Sequence, residues 1–76
     1  MAIQRIAVIG AGAWGVALAN AAARAGRDAI LCARDETTAA RIARTRESAR
    51  LPGVRLADIV SVTAKRDEAA RADALL

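Results

Sequence analysis

Six residues, Gly10-Ala11-Gly12-Ala13-Trp14-Gly15, limit what this chain can fold into more than any other stretch. They follow the apolar run Ile6-Ala7-Val8-Ile9 and precede an alanine-rich run over residues 16–25. The pattern is G-x-G-x-x-G, set between a strand-like and a helix-like segment. That context is what gives three glycines a mechanical meaning. Gly10 permits a tight turn, Gly12 lets backbone approach a bulky anion, and Gly15 lets a helix pack hard against a strand. The first turn of such a helix has N–H groups without intrahelical acceptors, and its peptide dipoles place partial positive charge there. A pyrophosphate is stabilised at that spot by backbone alone, so the stretch reads as dinucleotide-binding. The competing reading is an ordinary glycine-rich turn.

The rest of the chain supports the first reading. Residues 3–9 read as a strand, apolar enough after Arg5 to be covered on both faces. Residues 13–25 read as a helix, with Asn20 and Arg24 four apart forming one narrow wet stripe. Gly26 falls where a left-handed C-terminal residue is expected. Residues 28–33 read as a second strand, and residues 37–49 as a second helix. Its apolar face is Ala39, Ala40, Ile42 and Ala43, with Arg41, Arg44 and Arg46 in solvent. Leu51-Pro52-Gly53 breaks that helix. Residues 54–56 are extended, residues 59–63 are a short edge strand, and residues 65–72 are a short helix. Residues 73–76 open a fourth strand. The pattern predicts an α/β fold with a Rossmann-type parallel sheet, and specifically its first βαβαβ half. The 76 residues are expected to be one small domain segment, one mononucleotide-binding half of a dinucleotide-binding domain.

Composition narrows the function. Apolar residues make up 55% of the chain, which argues against disorder, yet many are alanines that bury little area. A chain of this size buries only roughly 60–65% of its unfolded surface, so the core is expected to be thin. The formal charge of +4 raises nucleic acid as a partner. The arginines are scattered among acids, as in Arg34-Asp35, Arg46-Glu47 and Arg66-Asp67, and Trp14 is the only aromatic. A solvated arginine-rich surface is the better reading, with no nucleic-acid partner. No stretch suits a membrane span, and the N-terminus does not resemble a signal peptide. Cys32 stands alone and histidine is absent, so neither an intrachain disulfide nor a metal site is expected. A reducing cytoplasmic setting fits.

Two positions carry the finer chemistry. At the end of the second strand an acid bonds the ribose 2′-hydroxyl of NAD, whereas an arginine accommodates the 2′-phosphate of NADP. Here Arg34 and Asp35 are adjacent. Arg34 is the better placed for phosphate, and its planar fork suits that anion. Asp35 or Thr37 is alternatively an N-cap of the next helix. The expected cofactor is NADP or NAD. Trp14 either borders the cofactor pocket or anchors the core, and the N–H groups of Ala13 and Trp14 are the candidates for touching the pyrophosphate. No catalytic group is evident: Lys65 sits on a charged segment, and Cys32 lies in a strand expected to be buried.

These residues together resemble a known family. Gly10-Ala11-Gly12-Ala13-Trp14-Gly15 followed by Val16-Ala17-Leu18-Ala19 is similar to the opening of bacterial NAD(P)-dependent glycerol-3-phosphate dehydrogenases. Leu31-Cys32-Ala33-Arg34-Asp35, Leu51-Pro52-Gly53-Val54-Arg55-Leu56 and the segment over 59–73 extend the similarity across the chain. Asp35 departs from the family's frequent basic residue. The resemblance implies that Gly10, Gly12, Ala13, Trp14, Gly15 and Arg34 hold the cofactor. It implies reduction of dihydroxyacetone phosphate, a small phosphorylated substrate, to sn-glycerol 3-phosphate for phospholipid synthesis. It further implies substrate and catalytic residues outside these 76, which alone are expected not to turn over substrate. Exposed sheet edges would favour a homo-oligomer. The alternatives are a non-catalytic nucleotide-binding module, a truncated product, or another dehydrogenase or FAD protein with a similar glycine loop.

Overall fold

A computed structural model describes residues 4–10, 12–48 and 53–72, and the backbone of 74–75. The expectations placed on Ile3, Ala11, Ala49, Leu51, Pro52, Asp73 and Leu76 lie outside the described residues. The elements are β1 (Arg5–Ile9), α1 (Ala13–Arg24), β2 (Asp28–Cys32), α2 (Glu36–Thr45), β3 (Ser61–Thr63), α3 (Arg66–Ala69) and β4 (Ala74–Leu75). All four strands are parallel, in the order β3-β2-β1-β4. This is the first βαβαβ half of a Rossmann-type sheet, as the hydrophobic pattern predicts, with β4 opening on the other side of β1.

Alternation along the strands divides the core into two layers. Val8 of β1 and Ala29 and Leu31 of β2 face Val16, Ala19 and Ala22 of α1 and Ile42 of α2. Leu56 and Val60, from the connection into β3, complete that layer. On the opposite face Ala7 and Cys32 meet Ala69 of α3, with half-buried Ile30 and Ala72 beside them. The second layer is made of small side chains, so the thin core expected from composition is concentrated there. Cys32 is buried in it, as expected of an inert packing thiol.

Element ends follow local chemistry. Helix α1 closes on Ala25, and Gly26 takes φ +80° with its N–H on the Ala23 carbonyl at 3.0 Å. The left-handed residue sits where the sequence places it. Helix α2 stops at Thr45, four residues short of the expected end. Arg46 adopts φ 60°, and its Nη2 donates to the carbonyls of Ala57 at 2.6 Å and Val60 at 2.7 Å. Leu56 N–H returns to the Arg46 carbonyl at 2.7 Å. Arg46 is therefore not in solvent, as its neighbours suggest, but half-buried and clamping the chain that leads into β3. Ala40 and Ala43 are exposed and do not belong to the apolar face of α2, which is Ala39 and Ile42. Ile59 is likewise 58% exposed and outside the strand, so β3 is three residues long. Helix α3 is one turn long and shorter than expected.

The clamp has a measurable consequence. Replacing Arg46 with alanine removes two charge-assisted bonds while keeping a left-handed non-glycine residue. A loss of about 2–3 kcal/mol is expected. Arg46→Gly also loses the bonds but relieves the backbone, so it should be about 1 kcal/mol less destabilising than Arg46→Ala. Urea midpoints of the two variants in that order would check this, and the reverse order would show that the backbone at 46 is unstrained.

Candidate dinucleotide site

The site grows from the junction of β1 and α1. Strand β1 leaves the ladder at Gly10, whose N–H still donates to the Cys32 carbonyl at 2.8 Å. Gly10 then takes φ +104°, a conformation that β-carbons disfavour, and turns the chain out of the sheet. Gly12 is the N-cap residue of α1, extended at φ −78° and ψ −173°, with its carbonyl accepting from Val16 N at 3.1 Å. The space in front of its α-carbon is open: a β-carbon there would meet nothing within 4 Å. At Gly15 the opposite holds. A β-carbon would run into the Gly10 carbonyl oxygen and lie 3.5 Å from Leu31 Cδ1. Gly15 thus sets how closely α1 approaches the turn, while Gly12 leaves room outside it.

Electrostatics distinguish this helix start from the next. No side chain caps α1, and its first turn carries no acid. Helix α2 is capped by Asp35, which accepts from Thr38 N at 2.7 Å, and has Glu36 in its first turn. The helix start at residues 12–15 is therefore the one suited to an incoming anion. The open space at Gly12 adjoins the backbone of Ala13 and Trp14 at this helix start.

Trp14 is 80% exposed. It is not a core anchor, which disposes of that alternative. Arg34 follows Ala33 at the carboxyl end of β2, its side chain 85% exposed, with Nε 3.8 Å from Asp35 Oδ2. The Thr38 N–H and hydroxyl, and more weakly Arg34 and Arg41, hold the Asp35 carboxyl below the usual aspartate value. Gly10, Gly12, Ala13, Trp14 and Gly15 thus form one turn, and Arg34 stands at the end of the strand paired with β1, since Ile9 is in register with Cys32. An open groove of about 570 Å³ lies along α2, lined by Glu36, Thr37, Ala40, Arg41 and Arg44. It includes none of these turn residues, and a single helix surface brings no groups into convergence.

Asn20 departs from the sequence expectation. It is buried rather than wet, donating through Nδ2 to the Arg55 carbonyl at 3.1 Å and accepting from Ala57 N at 2.8 Å. A signal for this was present: residue 20 shares the helical stripe of Val16, Ala19 and Ala23, whereas Trp14, Ala17, Ala21 and Arg24 form the exposed one. Among the described residues no acidic, cysteine or histidine cluster could hold a metal ion. No described helix is long and apolar enough to cross a membrane.

Residues 5–76 match the family described as NAD-dependent glycerol-3-phosphate dehydrogenase N-terminus. The chain is 62% identical over 73 residues to a glycerol-3-phosphate dehydrogenase [NAD(P)+] of Bradyrhizobium sp. (strain ORS 278), covering 96% of this chain and 22% of the relative. It is 60% identical over 75 residues to the protein of that name from Bradyrhizobium diazoefficiens, covering 99% and 23%. Against the Acidiphilium cryptum protein of that name it is 59% identical over 63 residues, covering 83% and 20%. The chain thus spans about a fifth of the length of these relatives. No solved structure matches it. With the glycine turn, the parallel 3-2-1-4 sheet and these identities in agreement, the chain belongs to the NAD-dependent glycerol-3-phosphate dehydrogenase N-terminal family.

Proposed function

We propose that these 76 residues form the adenosine-diphosphate-holding half of the NAD(P) domain of a glycerol-3-phosphate dehydrogenase. The observation that carries the reading is the start of α1. It is uncapped and free of acid, it has open space at Gly12, and Gly15 packs it against the turn. In this reading the N–H groups of Ala13 and Trp14 receive the pyrophosphate, Gly10 and Gly15 shape the turn, and Arg34 meets the adenosine ribose end. NADP and NAD are both accepted. The bound cofactor supplies the hydride for reducing dihydroxyacetone phosphate to sn-glycerol 3-phosphate, in the service of phospholipid synthesis. This chain's residues bind and orient it. Substrate contacts belong to the part of the relatives that these residues do not span, so binding without turnover is expected of the 76 residues. A cytoplasmic setting fits the single buried thiol. Self-association through the sheet edges is part of the same reading.

Trp14 is the chain's sole aromatic and so reports on its own loop. Titration with NADPH should quench its emission saturably. Gly12→Ala should weaken binding about tenfold or more, roughly 1.4 kcal/mol, by filling the phosphate approach. Its melting temperature should fall by no more than about 8 °C, the cost of alanine for glycine at an N-cap. Wild-type emission that stays flat, or declines without saturation, would sink the assignment.

A further inference from the structure

The sheet brings together two cations that lie far apart in the sequence. Cys32 of β2 is in register with Thr63 of β3, and the Ala33 N–H still donates to the Thr63 carbonyl at 2.7 Å. Arg34 and Lys65 each stand two residues past that register pair, at the carboxyl ends of neighbouring parallel strands. Neighbouring strands lie about 4.8 Å apart, so both side chains start from one short stretch of the sheet's carboxyl edge. Local bonds fix the second of them. Lys65 N–H donates to Thr63 Oγ1 at 3.1 Å, and the Thr63 hydroxyl donates to Glu68 Oε2 at 2.8 Å. The Lys65 carbonyl accepts from Glu68 N at 3.2 Å. The backbone at 65 is thus held on both sides. The residue itself is exposed, and its ammonium pairs with no carboxylate among the described residues.

Charge balance gives that ammonium a use. A phosphate monoester carries a charge of about −1.5 to −2 near neutral pH. Arg34 supplies one positive charge, and Asp35 Oδ2 lies 3.8 Å from its Nε. The two side chains together are neutral, so the end of β2 alone leaves a 2′-phosphate largely unbalanced. Lys65 is the chain's sole lysine, a compact cation on a flexible four-carbon stem. We propose that Lys65 is a second cation of the adenosine end, pairing from the close of β3 with the 2′-phosphate of NADP while Arg34 meets the same end from the close of β2. The inference rests on the dinucleotide reading above and adds to it a specificity residue from β3.

The test uses the 76-residue chain with NADPH and NADH, which differ only in the 2′-phosphate, followed by calorimetric titration. Lys65→Met keeps the length of the side chain and removes its charge. It should weaken NADPH binding about fivefold and leave NADH within about twofold, and the NADPH loss should shrink at high salt. Lys65→Arg should bring NADPH back to within about twofold of wild type. Arg66→Met removes the next cation along the chain and should leave both affinities within about twofold, which separates a placed charge from net charge. A Lys65→Met chain with the wild-type ratio of the two affinities would overturn the proposal, as would an Arg66→Met chain that loses NADPH binding equally. Those outcomes leave the dinucleotide reading standing, whereas a wild-type chain that bound neither cofactor would bring down that reading and the inference with it.

Discussion

Gly15→Ala is expected to remove most of the stability of this domain. The added β-carbon would clash with the Gly10 carbonyl oxygen, and it would lie 3.0 Å from the carbonyl carbon behind it. Neither side can yield cheaply. Gly10 is tied into the sheet by its N–H bond to Cys32, and its φ of +104° leaves it few alternatives. Helix α1 cannot back away without opening the layer that holds Val16, Ala19 and Leu31. Overpacking of backbone against backbone costs about 3 kcal/mol or more. A domain of this size has only about 5 kcal/mol to lose. Each kcal/mol shifts the melting temperature of such a domain by about 4–8 °C, so a fall of more than about 12 °C is expected. Gly12→Ala, three residues away, is the control. Its β-carbon meets nothing within 4 Å, and its backbone angles suit alanine. It should cost about 1 kcal/mol or less, the difference between glycine and alanine as an N-cap. Circular dichroism melts of the two variants decide the matter: equal melting temperatures would mean that α1 does not rest on the turn as described.

Asn20→Ala is expected to be the second most damaging change. The asparagine amide reads the Arg55 carbonyl and the Ala57 N–H together, much as a neighbouring strand would. Alanine leaves both backbone groups without that partner, at about 1–2 kcal/mol each for part-buried groups. A total of about 2–4 kcal/mol is expected in urea unfolding. Asn20→Asp sharpens the test. The aspartate still accepts from Ala57 N, but it sets an oxygen against the Arg55 carbonyl. Only the protonated acid can donate there, so its folded pKa is raised above its unfolded value of about 3.9. A raised folded pKa means that the stabilising contribution is present below the unfolded pKa and lost as pH rises through the folded one. The gap between the Asp variant and wild type should therefore narrow on acidification. A gap that is independent of pH would place residue 20 in water after all.

These two positions also mark how far the sequence could be read. The glycine turn, both its flanking elements and the Gly26 stop were legible because every partner lies within a few residues. Backbone requirements at 10, 12, 15 and 26 follow from local sterics alone. Asp35 was legible as one of two N-cap choices, and the 2.7 Å bond to Thr38 N selected it. Arg46 and Asn20 were misread because both are polar residues among alanines and arginines, which a local pattern assigns to water. Their partners are 11 to 37 residues away, on the connection into β3.

What the sequence determined by itself was the order of elements, the parallel α/β class and the glycine turn that opens α1, all consequences of short-range geometry and hydrophobic period. Tertiary structure alone decided where α2 ends, how short β3 is, that Trp14 is exposed, and that Asp35 and not Thr37 caps α2. Those outcomes depend on backbone carbonyls and N–H groups brought together by folding. No residue type announces in advance which distant peptide group it will satisfy.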